Sequence, residues 1–240
     1  MRATEFEFRY RSLLNLAHFW IAFQLYSLDH VNVVRAVVAL AEDGNSPRGT
    51  ALTRLLFALG ALITGLGAAA RTWGAAYLRS DVVHDSRLHV DRLVADGPYR
   101  HVRNPLYLGS VLWTVGLGFL VSRAGFVVLA GGAVVRVLRL IGREEAELQQ
   151  SQGEQFREFC RRVPRLIPAL TPRVPAGGLA PQWGQAFFGE APIWCCTLAM
   201  IAFTATLQTR VAWIGLGAAV VVWFAQQGVR AARRKRAQKS

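Results

Sequence analysis

The sequence predicts an all-α fold, a polytopic membrane helical bundle with five or six spans. Three observations predict this class. Apolar residues make up 52% of the 240-residue chain, and the mean hydropathy is positive, at +0.26. These residues are gathered in blocks that approach the roughly 20 residues with which a helix crosses a bilayer. The formal net charge of +13 comes largely from Lys and Arg between and after the blocks, as in the loops of membrane proteins.

Composition also argues against two soluble classes of protein. The excess Lys and Arg are not gathered on one soluble domain, so we expect no nucleic-acid partner. Cys160, Cys195 and Cys196 lack the spacing of metal ligands, which predicts neither a zinc site nor a disulfide framework. The apolar stretch after residues 1–11 has no small-residue cleavage site, so we expect it to be retained as a first span.

The first apolar block, residues 13–28, predicts a span with one polar face. Asn15 and His18 lie three residues apart on that face, which we expect to look into the bundle. Residues 31–41 are too short to cross the membrane. They are interpreted as an interfacial helix or as a broken continuation of the first block.

A second span is predicted at residues 55–78, after a break at residues 42–50 that is rich in Gly, Pro, Asn and Ser. Its small residues recur at four-residue spacing, a pattern that lets helices approach closely in lipid; they are Ala61, Gly65 and Ala69. Arg71 lies near the far end of this block, where its long side chain is expected to snorkel to the membrane surface.

The next two blocks, residues 106–121 and 126–141, predict an antiparallel helical hairpin because only residues 122–125 join them. Each helix would extend about 24 Å at 1.5 Å per residue, which is enough to cross the membrane. Residues 142–189 begin as a charged helix and become rich in Pro and Gly, so we expect them on the membrane surface.

Residues 191–207 and 211–229 predict the last two spans, and a basic tail follows at residues 230–240. Because Lys and Arg beside spans stay cytoplasmic, this tail sets the topology. Counting six spans backwards places residues 142–189, residues 79–103 and the N-terminus on the same side. We therefore expect an integral protein of the bacterial inner membrane with both termini in the cytoplasm.

The hairpin predicts where the polar chemistry of the chain converges. Its first helix begins within residues 97–109 (GPYRHVRNPLYLG), and its second helix is expected to end at residues 143–145. Both ends lie at the cytoplasmic face, so two distant stretches are expected to form one pocket at the membrane boundary. Such a pocket can admit a polar ligand from the cytosol and an apolar ligand from the lipid.

The ordered motifs of this region resemble those of a known family. They read LVADGPYRHVRNPLYLG at residues 93–109, REEAEL at residues 143–148 and FREFCRRVPRLIP at residues 156–168. This order is similar to that of the isoprenylcysteine carboxyl methyltransferases and their phospholipid N-methyltransferase relatives. The resemblance covers about residues 83–168.

That resemblance implies that S-adenosylmethionine binds in a cytosol-facing pocket around the hairpin. Matched position by position, it implies cofactor contacts at His84, Leu93, Val94, Tyr99, Asn104, Pro105, Leu106, Tyr107 and Glu144. One position departs from the pattern, since Asn104 stands where the family has histidine. An amide donates and accepts hydrogen bonds but does not titrate, so no role that needs an imidazole is expected there.

Residue chemistry agrees with such a cofactor. The carboxylate of Glu144 can accept hydrogen bonds from an ammonium group and from ribose hydroxyls. The rings of Tyr99 and Tyr107 suit both an adenine and a sulfonium. Pro105 restrains the turn into the first hairpin helix.

The implied acceptor is a lipidic or isoprenoid molecule, and O-methylation of a carboxylate is favoured over N-methylation of an amine. A carboxylate acceptor needs a group to hold it, and Arg139 and Arg143 are the candidates, one turn apart on the second hairpin helix. An amine acceptor needs a base, for which Glu145 and His101 are the candidates.

Other interpretations stay open at this point. One is a membrane reductase of the sterol-reductase type that uses NADPH, although the chain carries no Gly-rich dinucleotide fingerprint. Another is a non-catalytic membrane scaffold. Single arginines at span ends can also be plain topology anchors; these are Arg100, Arg103 and Arg143. The expected organisation is N-terminal spans at residues 1–78, a methyltransferase core at 79–168, and a surface linker, two spans and tail at 169–240.

Overall fold

The computed structural model describes residues 2–78 and 95–237, with side chains to residue 232, and these ranges are helical without a β-strand. The predicted all-α class is confirmed. The helices are α1 (Glu5–Arg9), α2 (Arg11–Gln24), α3 (Val33–Val38), α4 (Pro47–Tyr77), α5 (Pro105–Leu117), α6 (Arg123–Arg162), α7 (Trp183–Thr206) and α8 (Thr209–Ala237).

The apolar helices are those of an integral membrane protein. Within the described ranges, four helices are long and apolar enough to cross a membrane, namely α4, α6, α7 and Thr209–Ala232 of α8. The stretch Pro105–Leu120 is a shorter apolar helix. Residues 31–41 hold only the short helix α3, as their length predicts.

Capping residues set where the long helices begin. The Ser46 hydroxyl accepts a hydrogen bond from the Gly49 amide at 2.9 Å, and Pro47 occupies the first turn of α4. The Ser122 hydroxyl does the same for the Gly125 amide at 3.1 Å, at the start of α6. Helices α5 and α6 follow one another directly, so the predicted hairpin is confirmed.

The expected end of the second hairpin helix at residues 143–145 is wrong. Helix α6 continues to Arg162, with one non-helical residue at Gly153 (φ 54°, ψ −123°). Residues 143–150 (REEAELQQ) are strong helix formers, and the Arg143–Glu147 ion pair at 2.9 Å joins consecutive turns. Glu144 and Glu145 therefore project from the middle of a helix, one turn beyond its apolar half.

Glycines let α4 and α5 approach backbone to backbone. A Cβ on Gly67 would lie 2.7 Å from the Gly109 carbonyl oxygen, and one on Gly116 would lie 2.6 Å from the Gly60 carbonyl oxygen. The sequence pattern identified the correct helix but not these residues, since the predicted Gly65 faces Thr197 at a Cβ distance of 3.9 Å. Close packing of this kind joins the helix before the motif to the helix that the motif opens.

Helix α2 runs antiparallel along the apolar half of α6. Hydrogen bonds join Ala3 to Arg139, Leu14 to Arg136, His18 to Val128 and Asp29 to Arg123. Later residues of the N-terminal segment therefore contact earlier residues of α6. Sixteen residues of α6 separate the outer two of these partners, a rise of about 24 Å. Asn15 is exposed, so of the predicted polar face only His18 turns toward the bundle.

A proline inside α7 is compensated by the neighbouring helix. Pro192 has no amide proton to donate to the carbonyl of Phe188, four residues earlier. The side-chain amide of Gln226, from α8, donates to that carbonyl instead, and Gln226 is only 4% exposed. The polar residue of α8 thus satisfies a backbone group that has no water available in lipid.

Substitution of Gly116 by valine tests the α4–α5 contact. The new side chain would meet the Gly60 carbonyl oxygen and the Thr64 backbone, so we expect a loss of about 1–3 kcal/mol of stability. Gly131→Ala is the matched control, because no atom lies within 4 Å of its Cβ position and a helical alanine is favourable. Thermal unfolding in detergent should show a lower midpoint for Gly116→Val alone; equal midpoints would refute the contact.

Candidate active site

The structure brings the opening motif and the REEAEL helix together. Tyr107, in the first turn of α5, donates its hydroxyl to Oε1 of Glu144 on α6 at 2.6 Å. This is the short distance of a hydrogen bond to a carboxylate. This hydrogen bond connects the two hairpin helices at the end of the bundle where the motif lies.

Tyr99 adds a buried hydroxyl beside this pair. It lies in the short 3-10 turn Gly97–Arg100 and is only 8% exposed. Burial raises the pKa of the Tyr99 hydroxyl, and the nearby Glu144 carboxylate raises it further, so the group keeps its proton. Among the described residues this hydroxyl has no hydrogen-bond partner. A buried donor of this kind is suited to receive a ligand atom.

Glu145 ties the motif to α6. Its carboxylate lies 3.5 Å from the guanidinium of Arg103 and 2.8 Å from that of Arg165. Asn104 donates from Nδ2 to Glu145 at 3.3 Å and to the Arg165 carbonyl at 3.1 Å. The residue that replaces the family histidine therefore bridges three segments through its amide.

Residues 163–182 form an extended strap along the motif. The strap runs antiparallel to residues 96–104, and its hydrogen bonds pair Arg103 with Pro164, His101 with Ala169, Arg100 with Arg173 and Val174, and Asp96 with Gly177 and Leu179. Asp96 is 3% exposed, and its two carboxylate oxygens accept hydrogen bonds from the backbone amides of Gly177 and Leu179, at 2.7 and 3.0 Å. The stretch expected to lie on the membrane surface thus holds the motif in place.

His101 is fixed by the same strap. Its Nδ1 lies 2.9 Å from the Ala169 carbonyl oxygen, which can only accept, so Nδ1 carries the proton. Nε2 is then the nitrogen left with a lone pair in the neutral ring. The ring packs against Trp73 of α4 with centroids 6.1 Å apart.

The two candidate acceptor arginines have different partners. Arg139 donates from Nε and Nη2 to the two carboxylate oxygens of Glu7, at 3.0 and 2.8 Å. The hydrogen bonds from Arg139 are the largest cause that lowers the pKa of Glu7 to about 2. Arg143 pairs with Glu147, and its guanidinium lies 5.0 Å from the ring centroid of Phe8. Arg143 lies against Phe8, and Arg139 precedes Leu140 in α6; Phe8 and Leu140 share a cluster with Tyr107.

Arg71 is not at the membrane surface as expected. Its guanidinium binds both oxygens of Glu190 on α7, at 2.7 and 2.9 Å, and donates to the Ser110 hydroxyl of α5 at 2.5 Å. Glu190 is 1% exposed. Sequence reasoning missed this pair, and the available signal was one positive charge inside an apolar block and one negative charge directly before another.

The remaining predicted cofactor residues fall into two groups. Pro105 and Leu106 are described, and both pack against Gly74 of α4. A Cβ added to Gly74 would lie 3.3 Å from Cγ of Pro105 and 3.3 Å from Cγ and Cδ2 of Leu106. His84, Leu93 and Val94 lie outside the described residues. In the parts of the chain that the structure describes, no group of three His, Cys, Asp or Glu is placed to hold a metal ion.

Comparison with known families supports the class of protein that the motifs predict. Residues 55–155, from α4 into α6, match the phospholipid methyltransferase family. The match covers less than half of the chain. It confirms the predicted resemblance, and the Tyr107–Glu144 pair lies within the matched region.

Curated relatives match over parts of their length. Over 140 residues the chain is 31% identical to the cobalt-zinc-cadmium resistance protein CzcN of Cupriavidus metallidurans, covering 58% of this chain and 62% of the relative. It is 25% identical to the nickel-cobalt-cadmium resistance protein NccN of Alcaligenes xylosoxydans over 56% of this chain and 60% of that one.

A third relative carries an enzyme name. The protein-S-isoprenylcysteine O-methyltransferase of Schizosaccharomyces pombe is 29% identical over 92 residues, which cover 38% of this chain and 39% of the relative. The match thus spans less than two thirds of each of these three relatives. No solved structure matches the methyltransferase region or the rest of the chain.

Glu190→Gln tests the buried ion pair. It leaves Arg71 charged inside the bundle, so we expect a loss of about 3–5 kcal/mol of stability. Glu154→Gln is the control, since Glu154 is 65% exposed where it pairs with Arg157, and should cost less than about 1 kcal/mol. Combining Arg71→Met with Glu190→Leu should recover stability in a denaturation assay. An unstable double variant would show that the pair does more than cancel charge.

Asp96→Ala tests the strap. It removes the charged acceptor of the Gly177 and Leu179 amides, which costs about 1–3 kcal/mol. Hydrogen exchange in residues 163–182 should speed up. Asp43→Ala provides the comparison, because Asp43 is exposed and accepts the amide of Asn45 at the opposite end of the bundle. Unchanged exchange in the strap would mean that Asp96 does not hold it.

Proposed function

We propose that the chain is a membrane methyltransferase that uses S-adenosylmethionine and methylates a carboxylate on a lipidic or isoprenoid acceptor. The observation that carries the proposal is the Tyr107–Glu144 hydrogen bond beside the unpartnered, buried hydroxyl of Tyr99. It lies in the region that matches the phospholipid methyltransferase family.

The residues present fit the cofactor. The Glu144 carboxylate accepts a hydrogen bond on Oε1, and a carboxylate has further lone pairs to offer an ammonium group or ribose hydroxyls. The Tyr99 hydroxyl is a protonated donor without a partner among the described residues. The tyrosine rings favour a cationic sulfonium over a neutral thioether. His84, Leu93 and Val94 stay predicted contacts.

Arginine supplies what a carboxylate acceptor requires. The bound cofactor would supply a methyl group on a sulfonium. The acceptor oxygen would bond to that methyl carbon as the C–S bond breaks, and both electrons of the C–S bond would stay on the departing sulfur. A carboxylate loses no proton in this step, so the protein has only to hold and align it. Arg139 and Arg143 lie one turn apart beside Tyr107 and can hold a carboxylate at this position.

The two predicted bases differ in how far they are free to take a proton from an amine acceptor. Glu145 is bound by Arg103, Arg165 and Asn104, an arrangement suited to positioning the motif. The Nδ1 proton of His101 is held by the Ala169 carbonyl, which leaves Nε2 as its basic atom. An amine acceptor would need one of these groups to take a proton.

The location of the site follows from the topology we propose. The basic tail after α8 sets the cytoplasmic side by the positive-inside rule. The Tyr107–Glu144 pair then faces the cytosol of a bacterial inner membrane, where the cofactor is dissolved, and the acceptor enters from the lipid. The methyltransferase core expected at residues 79–168 would contain both halves of this site.

Cofactor binding tests the proposal. Calorimetry in detergent should detect S-adenosylmethionine, and Tyr107→Phe and Glu144→Gln should each weaken binding about tenfold, because each removes one hydrogen bond to a charged group. Tyr10→Phe is a matched control at an exposed tyrosine. Absence of binding at millimolar cofactor would refute the proposal.

The same assay separates the other interpretations. Binding of NADPH in place of S-adenosylmethionine would indicate a reductase, and binding of neither would indicate a scaffold. Transfer of a radiolabelled methyl group into a total lipid extract would then identify the acceptor. A base-labile label indicates a methyl ester, and a base-stable label on an amine would refute the carboxylate.

A further inference from the structure

The guanidinium of Arg139 binds a carboxylate through two hydrogen bonds. Its Nε and Nη2 donate two parallel hydrogen bonds to the two oxygens of Glu7, at 3.0 and 2.8 Å. This two-pronged geometry matches a planar carboxylate and is what arginine, unlike lysine, provides. The carboxylate that fills it comes from the chain itself.

The segment that carries Glu7, residues 2–9, is here called the arm, and it lies beside the proposed site. The Ala3 amide donates to the Arg139 carbonyl at 2.9 Å. The Phe8 ring, 6% exposed, lies 5.0 Å from the guanidinium of Arg143 on the next turn of α6. Ala3, Phe8 and Leu140 form a cluster against which Tyr107 packs. The arm therefore covers the arginines next to the Tyr107–Glu144 pair.

We propose that Arg139 is the subsite for the acceptor carboxylate and that Glu7 occupies it until an acceptor carboxylate replaces it. The arm then selects acceptors by whether they can take the place of a carboxylate. This inference rests on the proposed function, and it adds the residue that the acceptor has to displace.

Exposure makes the replacement feasible. The side chains of Arg139 and Glu7 are 27% and 33% exposed, so their ion pair is partly solvated and weak. An acceptor held in the membrane by its lipid chain presents its carboxylate at high local concentration. A cationic amine acceptor cannot replace Glu7 on a guanidinium, and a neutral ester cannot form two charge-assisted bonds there.

Glu7 has a second role that the test must leave intact. Its carboxylate also accepts the Thr4 amide at 2.6 Å, and the Thr4 hydroxyl accepts the Glu7 amide at 3.2 Å. This capping box at the start of α1 accepts glutamine as well as glutamate. Glu7→Gln therefore keeps the cap of the arm and removes the charge that Arg139 binds.

Binding and kinetics form the first test. N-acetyl-S-farnesylcysteine is the carboxylate probe, and its methyl ester is the same molecule without the charge. We expect Glu7→Gln to lower the Kd and the KM for the free acid by about two- to fivefold, the range of a weak ion pair. Glu5→Gln, an exposed change on the same helix, should alter neither value. An unchanged or higher Kd for Glu7→Gln would overturn the proposal.

Hydrogen exchange forms the second test and needs no turnover. In the wild-type protein the free acid should speed exchange at the amides of the arm, and the methyl ester should not. Arg139→Gln should abolish this response. Arm exchange that ignores the free acid, or that responds equally to the ester, would also overturn the proposal.

The experiments distinguish a failure of the proposed function from a failure of the proposed role of the arm. If the wild-type protein transfers no methyl group from S-adenosylmethionine to any acceptor, the proposed function fails, and exchange of the arm still decides whether Arg139 is a carboxylate subsite. If transfer occurs and Glu7→Gln behaves as Glu5→Gln does, only the role of the arm fails.

Discussion

A guanidinium buried among apolar helices has to be neutralised and hydrogen-bonded, and this constraint organises the bundle around Arg71. Arg71 belongs to α4, its counter-charge Glu190 to α7 and its third partner Ser110 to α5. The three helices must therefore contact one another at the same level along the axis of the bundle. Because Ser110 is one turn from Tyr107, this meeting point also fixes where α5 presents its tyrosine to Glu144.

Helices and strap contribute differently to the site. The chemistry lies on helix turns, where Tyr107 and Glu144 are held by the packing of α5 on α6. Residues 96–104, before α5, are held by hydrogen bonds to residues 163–182, and the strap contributes mainly backbone groups to them. Backbone groups are present whatever the side chains are, so the strap can hold its geometry while its sequence changes. Among the described residues, Asp96 and Glu145 bind the strap through their carboxylates.

Much of the fold follows from the sequence because its signals are local. Apolar blocks mark the spans, and the short connection at residues 122–125 forces the hairpin and so the meeting of Tyr107 with Glu144. The end of α6 was missed because propensity and ion pairs, not hydropathy, continue a helix beyond the membrane. Glu190, Glu7 and the strap were missed because their partners are distant along the chain: 119, 132 and about 70 to 80 residues separate them. No local pattern specifies such a pairing.

The position of Glu190 has a consequence for where this protein can be divided. The family region ends at residue 155, and α7 lies beyond it. The region that matches the family therefore ends before the residue that neutralises Arg71. A fragment cut after the strap would keep every residue of the proposed site and would leave the positive charge of Arg71 facing lipid. Helix α7 thus supplies an internal counter-ion to the half of the chain that holds the proposed site, and the two halves are a single electrostatic unit.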